Sequence, residues 1–233
     1  MNKQLLNHIW LVGIIIFNLP VGASLAVDRP PPVIEMCKGQ PHCNFLGNEK
    51  GWPEQGFDSE YVTFTNRIFD VRLPRTMDKV SIGWGDSPLY ALWFSDKRVA
   101  FGIEDVPDEI ASADYAEILE EKKQSDWVGI DIFKIMFNNT SSEKEPNNAY
   151  ERYLWRTAFF HKVIVYGGIK SALIYKRGPW SAYSAVIDGP VNRRLTVVTH
   201  REIKDQYLSI QDNGFDQEFI EKVIASVSLN NKQ

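Results

Sequence analysis

The segment that decides the fold is NAYERYLWRTAFFHKVIVYGG, residues 148–168, the longest stretch able to be both helical and largely buried. Asn148 is a favourable N-cap, and Glu151 stands where a carboxylate reaches back to the cap residue's backbone N–H. The apolar arc is wide. Its main stripe contains Tyr150, Leu154, Thr157, Ala158 and His161, and its flank contains Trp155, Phe159, Lys162 and Tyr166. The rest of the chain must therefore cover a broad helical surface.

The residues at and after the end of this helix predict a region of sheet. The β-branched run 163–165 also fits a strand, and periodicity leaves helix and strand both open there. Strand formers then recur at 171–176, 181–188 and 194–201, separated by Gly-Pro turns. This pattern predicts a late meander of three strands.

A closing helix is marked by several local signals. Asn213-Gly214 predicts a turn, Asp216 is a favourable N-cap, and Phe215 and Ile220 occupy the two positions of a hydrophobic staple. One apolar stripe follows, made of Phe219, Ile220, Val223, Ile224 and Val227. We expect this stripe to lie on a sheet and the polar residues 230–233 to fray.

The first half of the chain predicts an earlier meander. Strand patterns occupy 61–65, 68–73, 79–84, 90–94 and 99–103, and a helix is predicted from Ser112. The apolar run 127–137 predicts a further strand, residues 138–147 an exposed, mobile loop, and residues 44–58 an irregular connection. The predicted class is α+β: an antiparallel sheet of two meanders, covered on one side by helices that include the C-terminal helix. We assign it to one domain, residues 57–233.

This order of elements resembles the PsbP-like fold, which includes DcrB-type periplasmic proteins and Ran-binding Mog-type proteins. The resemblance spans residues 57–229 and rests on the hairpin VTFTNRIFDVRLPR from Val62, the mid-chain helix, the late meander, and the closing FDQEFIEKVIASVSL from Phe215. It implies an α+β fold. No functional residue carries over, because members of the family bind different partners through different surfaces.

The N-terminus predicts export. An apolar run from Ile9 to Leu19 precedes Pro20 and a small-residue cleavage site, so residues 1–26 are interpreted as a signal peptide. The alternative is an uncleaved membrane anchor. After cleavage, 233 − 26 = 207 residues remain, with no membrane segment. Residues 27–56 form a Pro-rich spacer and a cysteine loop, and the predicted location is periplasmic or secreted.

Cys37 and Cys43 enclose five residues, and in an exported chain such a pair predicts a disulfide. The bridge is expected to contribute roughly 2 kcal/mol. A metal site from Cys37, His42 and Cys43 is the weaker alternative, because a fourth ligand at a recognisable spacing is missing. We expect no metal and no cofactor.

Catalytic motifs are sparse. Residues 83–87, Gly-Trp-Gly-Asp-Ser, look like the nucleophile element of a lipase/esterase family, but Val197 stands where that family has an Asp three residues before its histidine, His200. A strand-to-loop turn explains the same residues without chemistry. His161 and His200 stand on predicted secondary structure, where a structural role is more common than a ligand or base.

Charge is segregated along the chain. Residues 104–151 carry thirteen acids and four bases, whereas residues 152–204 carry ten bases and two acids. Either the two halves neutralise each other across the fold, or the basic half forms a recognition surface. The net charge of −4 disfavours nucleic acid as the main partner. The predicted binding residues are the Arg and aromatic residues of the late meander: Arg177, Trp180, Tyr183, Arg193 and Arg194.

These observations predict a non-catalytic binding or accessory protein. Examples are a chaperone for an exported partner and an immunity protein that blocks a toxin. Its partner is predicted to be another exported protein. The alternative is a secreted serine hydrolase that uses Ser87 as the nucleophile.

Overall fold

The computed structural model describes residue 37 and residues 39–230, apart from 59, 84–87, 107–114, 165–167 and 188–192. The chain divides into two compact units, Met1–Pro32 and Val33–Gln233, and the described residues all belong to the second. The predicted signal peptide, residues 27–36 of the Pro-rich spacer and residues 231–233 lie outside the described residues.

The described residues form two sheets, and the α+β class is confirmed. The strands are β1 Asn48–Gly51, β2 Tyr61–Thr65, β3 Phe69–Pro74, β4 Lys79–Gly83, β5 Leu89–Phe94, β6 Lys97–Asp105, β7 Ile169–Arg177, β8 Trp180–Ile187, β9 Arg193–His200, β10 Gln206–Asn213 and β11 Ser228–Leu229. The large sheet has the order β1-β7-β8-β9-β10-β6-β5-β4, and the small sheet has the order β11-β3-β2. Apart from the parallel pair β1–β7, the pairs are antiparallel.

Three strands were not predicted from the sequence: β1, β10 and the two-residue β11. β10 pairs with both β9 and β6 and thereby joins the two predicted meanders into one sheet. Its pattern is hidden because Ser209 and Asp212 are buried polar residues. The predicted irregular connection 44–58 is also wrong in part, since β1 lies within it and pairs with β7. Nothing local marks β1, whose four residues are all exposed.

Four α-helices are described: α1 Tyr115–Lys122, α2 Asp131–Asn138, α3 Ala149–Ile164 and α4 Gln217–Ser226. α3 is the helix predicted from residues 148–168, and Asn148 Oδ1 accepts the Glu151 N–H at 3.0 Å, as an N-cap does. Among the described residues, no helix combines the length and apolar character needed to cross a membrane.

The strand predicted at 127–137 is wrong, because most of that run is helix α2. Asp131 accepts a hydrogen bond from the Val128 N–H at 2.8 Å and so stabilises the first turn. Ile132, Ile135 and Met136 follow at helical spacing and are buried. Phe133 and Phe137 are buried as well, so the run is mostly apolar, a pattern that a buried strand also shows.

Helices and the small sheet cover the large sheet on both faces, which corrects the one-sided cover predicted from the sequence. Neighbouring residues of β9 show this, because Val197 belongs to the core under α1–α3 and Val198 to the core under α4. The second core also contains the inward side chains of β3.

α4 docks as its sequence predicts. Asp216 Oδ1 accepts the Phe219 N–H at 2.8 Å, and Gly214 has a φ of 86° in the turn before it. Ile220 and Ile224 are fully buried. After the helix, β11 pairs with β3 and the Asn230 N–H donates to the Ile68 carbonyl, so the chain stays attached to the small sheet through residue 230.

Candidate binding surface

The turn between β7 and β8 brings two of the predicted binding residues together. Arg177 and Trp180 face each other across the Gly178-Pro179 turn. Gly178 has a φ of 56°, a left-handed conformation that glycine adopts without strain. The turn therefore presents an arginine and a tryptophan at one end of the large sheet.

A tryptophan that the sequence analysis did not single out lies beneath Arg177. The Arg177 guanidinium lies 5.0 Å from the centre of the Trp52 ring, a cation–π distance. The Trp52 and Trp180 rings are 6.0 Å apart. Trp52 follows β1 directly, and the parallel pairing of β1 with β7 carries it to this turn. Its indole N–H is buried and has no hydrogen-bond partner within the described part of the chain.

Trp180 is half-buried and packs inward on two sides. Its ring is 4.6 Å from the His200 ring and 6.2 Å from the Phe69 ring. His200 Nδ1 accepts the Glu202 N–H at 3.3 Å, so this histidine holds the chain after β9. These contacts give His200 a structural role and fix the position of Trp180.

Tyr183 lies elsewhere and is buried. Its side chain belongs to the core under α1–α3, where the Phe137 ring is 5.3 Å away and the Phe133 ring is 6.2 Å away. Burial raises the pKa of Tyr183 to about 12. Tyr183 and Trp180 are thus on opposite faces of the sheet, so these two predicted binding residues do not share one surface.

The other two predicted residues are at the far end of the hairpin. Arg193 is exposed and donates to Gln211 at 3.2 Å. Arg194 is buried, lies 3.5 Å from Asp212 Oδ2 and donates to the Asp216 carbonyl at 3.1 Å. Burial raises the pKa of Asp212 to about 6, although Arg194 lowers it. Arg194 therefore stabilises the start of α4 and is removed from the candidate surface.

The segregated charges meet in part. Arg156 of α3 forms a two-pronged ion pair with Glu145, at 2.8 Å and 3.0 Å. This contact joins the basic half of the sequence to the acidic half, as the neutralising interpretation predicts. Arg177 stacks on an indole instead, which leaves its charge at the surface of the turn.

The cysteine loop is tied to the core through a buried lysine. Cys37 and Cys43 form the predicted disulfide, and both are buried against the α1–α3 core. Lys162 of α3, predicted at the helix flank, is fully buried. Its ammonium donates to the carbonyls of Cys43 at 3.3 Å, Phe45 at 3.1 Å and Asn139. Three separate segments of chain therefore meet at one buried charge.

Burial lowers the pKa of Lys162 to about 8, and the carboxylate of Glu143 partly opposes that shift. Burial also lowers the pKa of the neighbouring His161. The Asn139 bond shows that the predicted 138–147 loop is anchored at its start, although much of it is exposed. No local sequence signal indicates this contact, because a lysine at a helix flank is usually solvated.

The predicted catalytic and metal-binding groups are not assembled into a site within the described residues. Residues 84–87 lie outside the described residues, so the hydrolase hypothesis based on Ser87 stays a prediction. In the described part of the chain, no three His, Cys, Asp or Glu side chains are placed to hold a metal ion. The disulfide occupies the sulfurs of the alternative metal site at Cys37 and Cys43.

Comparison with known proteins finds only weak structural likeness. No family model matches the chain, and no curated protein matches it. A crystal structure from Bacteroides thetaiotaomicron VPI-5482 aligns with a TM-score of 0.33 and 13% sequence identity, over 70% of this chain. The match spans 46% of that protein's own chain.

Proposed function

We propose that this protein is an exported, non-catalytic binding or accessory protein that acts in the periplasm or outside the cell. Its partner is another exported protein, as for an immunity protein or a chaperone. The disulfide supports an oxidising compartment. The signal peptide and the PsbP-like resemblance stay predictions from the sequence.

The observation that carries this proposal is the Arg177, Trp52 and Trp180 cluster. Tryptophan and arginine dominate the energetics of many protein interfaces, because one offers a large rigid apolar area and the other a planar set of donors. Here both indoles are held in place by packing, so little side-chain entropy is lost when a partner binds.

The charge at this turn favours an acidic partner surface. Arg177 is exposed, and stacking on Trp52 fixes its position without neutralising it. An acidic side chain docking on the guanidinium would make a charge-assisted hydrogen bond in a partly apolar setting. A partner with a carboxylate next to an apolar residue fits both parts of the cluster.

The test is capture of partners from the exported fraction of the native organism, followed by titration. Arg177→Glu is expected to weaken binding of the captured protein and to make its salt dependence shallower. Arg193→Glu is the matched control, because Arg193 is an exposed arginine at the opposite end of the same hairpin. If Arg177→Glu leaves the affinity unchanged, this turn is not the binding surface. Repeated capture without any partner would count against a binding function as a whole.

A further inference from the structure

The two edges of the large sheet differ in their protection against further strand pairing. At one edge, β1 carries charged side chains, and Lys50 pairs with Glu221 while Glu49 pairs with Lys176. Charges of this kind discourage a second strand from adding to an edge. At the other edge, β4 carries two exposed apolar side chains, Val80 at 41% and Ile82 at 44% of full exposure.

These two side chains are exposed because the large sheet extends past the small one. Val80 is opposite the fully buried Leu92, and Ile82 is opposite Tyr90, so both lie on the face that the small sheet covers. The cover reaches Tyr90, where Phe64 of β2 packs with ring centres 5.3 Å apart. β2 is the last strand of the small sheet. Within the described residues, the face of β4 therefore forms an apolar step beside a sheet edge with which no further strand pairs.

The register also fixes which backbone groups of β4 face outward. Phe94 and Lys97 close the two-residue turn between β5 and β6, so they form a hydrogen-bonded pair. Hydrogen bonding alternates along an antiparallel strand, so Trp93, Ala91 and Leu89 bond towards β4. Their partners in β4 are Lys79, Ser81 and Gly83. The N–H and C=O groups of Val80 and Ile82 therefore point away from the sheet.

We propose that β4 pairs with β4 of a second copy of this chain, antiparallel, about a two-fold axis at Ser81. In this register Val80 faces Ile82 of the partner subunit, and Ile82 faces Val80 of the partner subunit. Both pairs exchange two backbone hydrogen bonds, and the four exposed apolar side chains pack into one cluster. The two sheets become one continuous sheet through the dimer.

The charges of β4 suit this arrangement. Lys79 falls opposite Gly83 of the partner subunit, so the two lysines are kept at opposite ends of the interface and no like charges face each other. A foreign strand would need matching apolar residues at alternate positions, whereas a second copy supplies them by symmetry. A contact of one five-residue strand is small, so the dimer should be weak and concentration-dependent.

The sharpest test uses the two-fold axis itself. Ser81 faces Ser81 of the partner subunit as a non-hydrogen-bonded pair, whose Cα atoms lie about 4.5 Å apart, within the range of a disulfide. Both native cysteines are already bridged. Ser81→Cys should therefore form an intermolecular disulfide under mild oxidation. Val80→Cys is the matched control and should cross-link much less, because its opposite residue is Ile82 of the partner subunit.

A second measurement tests the wild-type contact. Sedimentation velocity over a concentration series should show a monomer–dimer equilibrium, and replacing Val80 and Ile82 together with lysine should abolish the dimer without lowering the melting temperature. Equal cross-linking of the Ser81→Cys and Val80→Cys variants would overturn the proposal. A wild-type protein that is monomeric at every concentration would also overturn it. If that monomer binds a captured exported protein and the double-lysine variant does not, the edge pairs with a foreign strand instead.

Discussion

Replacing Lys162 with Met should remove an increase in stability that the wild-type protein shows at alkaline pH. In the fold, the lysine ammonium is fully buried and held by the carbonyls of Cys43, Phe45 and Asn139. Burial lowers its pKa from the ordinary 10.5 to about 8. The side chain therefore loses its proton in the folded protein well before it does so in the unfolded chain.

The direction and size of the effect follow from proton linkage. Between pH 8 and pH 10.5 the unfolded chain binds a proton that the folded protein has lost, so the free energy of unfolding rises with pH. One pKa unit corresponds to about 1.4 kcal/mol. Over this interval the expected gain is about 3 kcal/mol. Below pH 8 both states keep the proton, and this group adds no slope.

The assay is urea denaturation at a series of pH values from 7 to 11 for the wild type and Lys162→Met. Subtracting one profile from the other removes the contribution of other groups that titrate in this range. Lys134→Met is the control, because Lys134 is an exposed lysine on the neighbouring helix α2. Parallel profiles for the wild type and Lys162→Met would refute the reasoning and show that the buried amine keeps its charge throughout.

Three further predictions concern the other face and the N-terminal loop. The pKa of Asp212 is raised from the ordinary 3.8 to about 6 in the fold. The wild type should therefore lose about 3 kcal/mol of stability as pH rises from 3.8 to 6, because the folded protein holds a proton that the unfolded chain has lost. Asp212→Asn should lose less stability over the same interval in the same urea titrations. Ile220→Ala and Ile224→Ala should each lower the free energy of unfolding, measured with denaturant, by roughly 2–5 kcal/mol. Losses below about 0.5 kcal/mol would mean that α4 is not docked. Mass spectrometry without reductant should find the protein two hydrogens lighter than the dithiol form, and Cys37→Ser should lower stability by no more than about 2 kcal/mol.

The sequence was most informative where structure depends on neighbouring residues. The cap and turn of α4 were predicted because Asp216 and Gly214 act within a few residues of their own position. Strand β1 was missed because it is defined by its pairing with β7, which lies more than a hundred residues further along the chain. α2 was assigned to a strand because five of its eight residues are buried, and its polar face of Asp131, Lys134 and Asn138 is too short to make the helical period stand out.

The positions of the predicted binding residues depend in part on local structure. Arg177 and Trp180 lie together because a turn of two residues brings them close. Trp52 was missed because only the β1–β7 pairing carries it there. Tyr183 and Arg194 were included because their types favour interfaces, but the sheet is covered on both faces and buries them. Residue type indicates what a side chain can do, while tertiary packing decides whether it is exposed.

The position of β10 has a consequence for how this chain folds. β10 lies between β9 and β6, and the residues it pairs with in β6 are more than a hundred positions earlier in the chain. Until residues 206–213 have been synthesised, the β4–β6 meander and the β7–β9 meander each keep an edge that has no neighbour. Closing so long a loop is entropically costly, and sheets rich in distant pairs fold slowly. The chain should therefore complete its core only after nearly all of it has been made, with β10 as the strand that commits both halves to one structure.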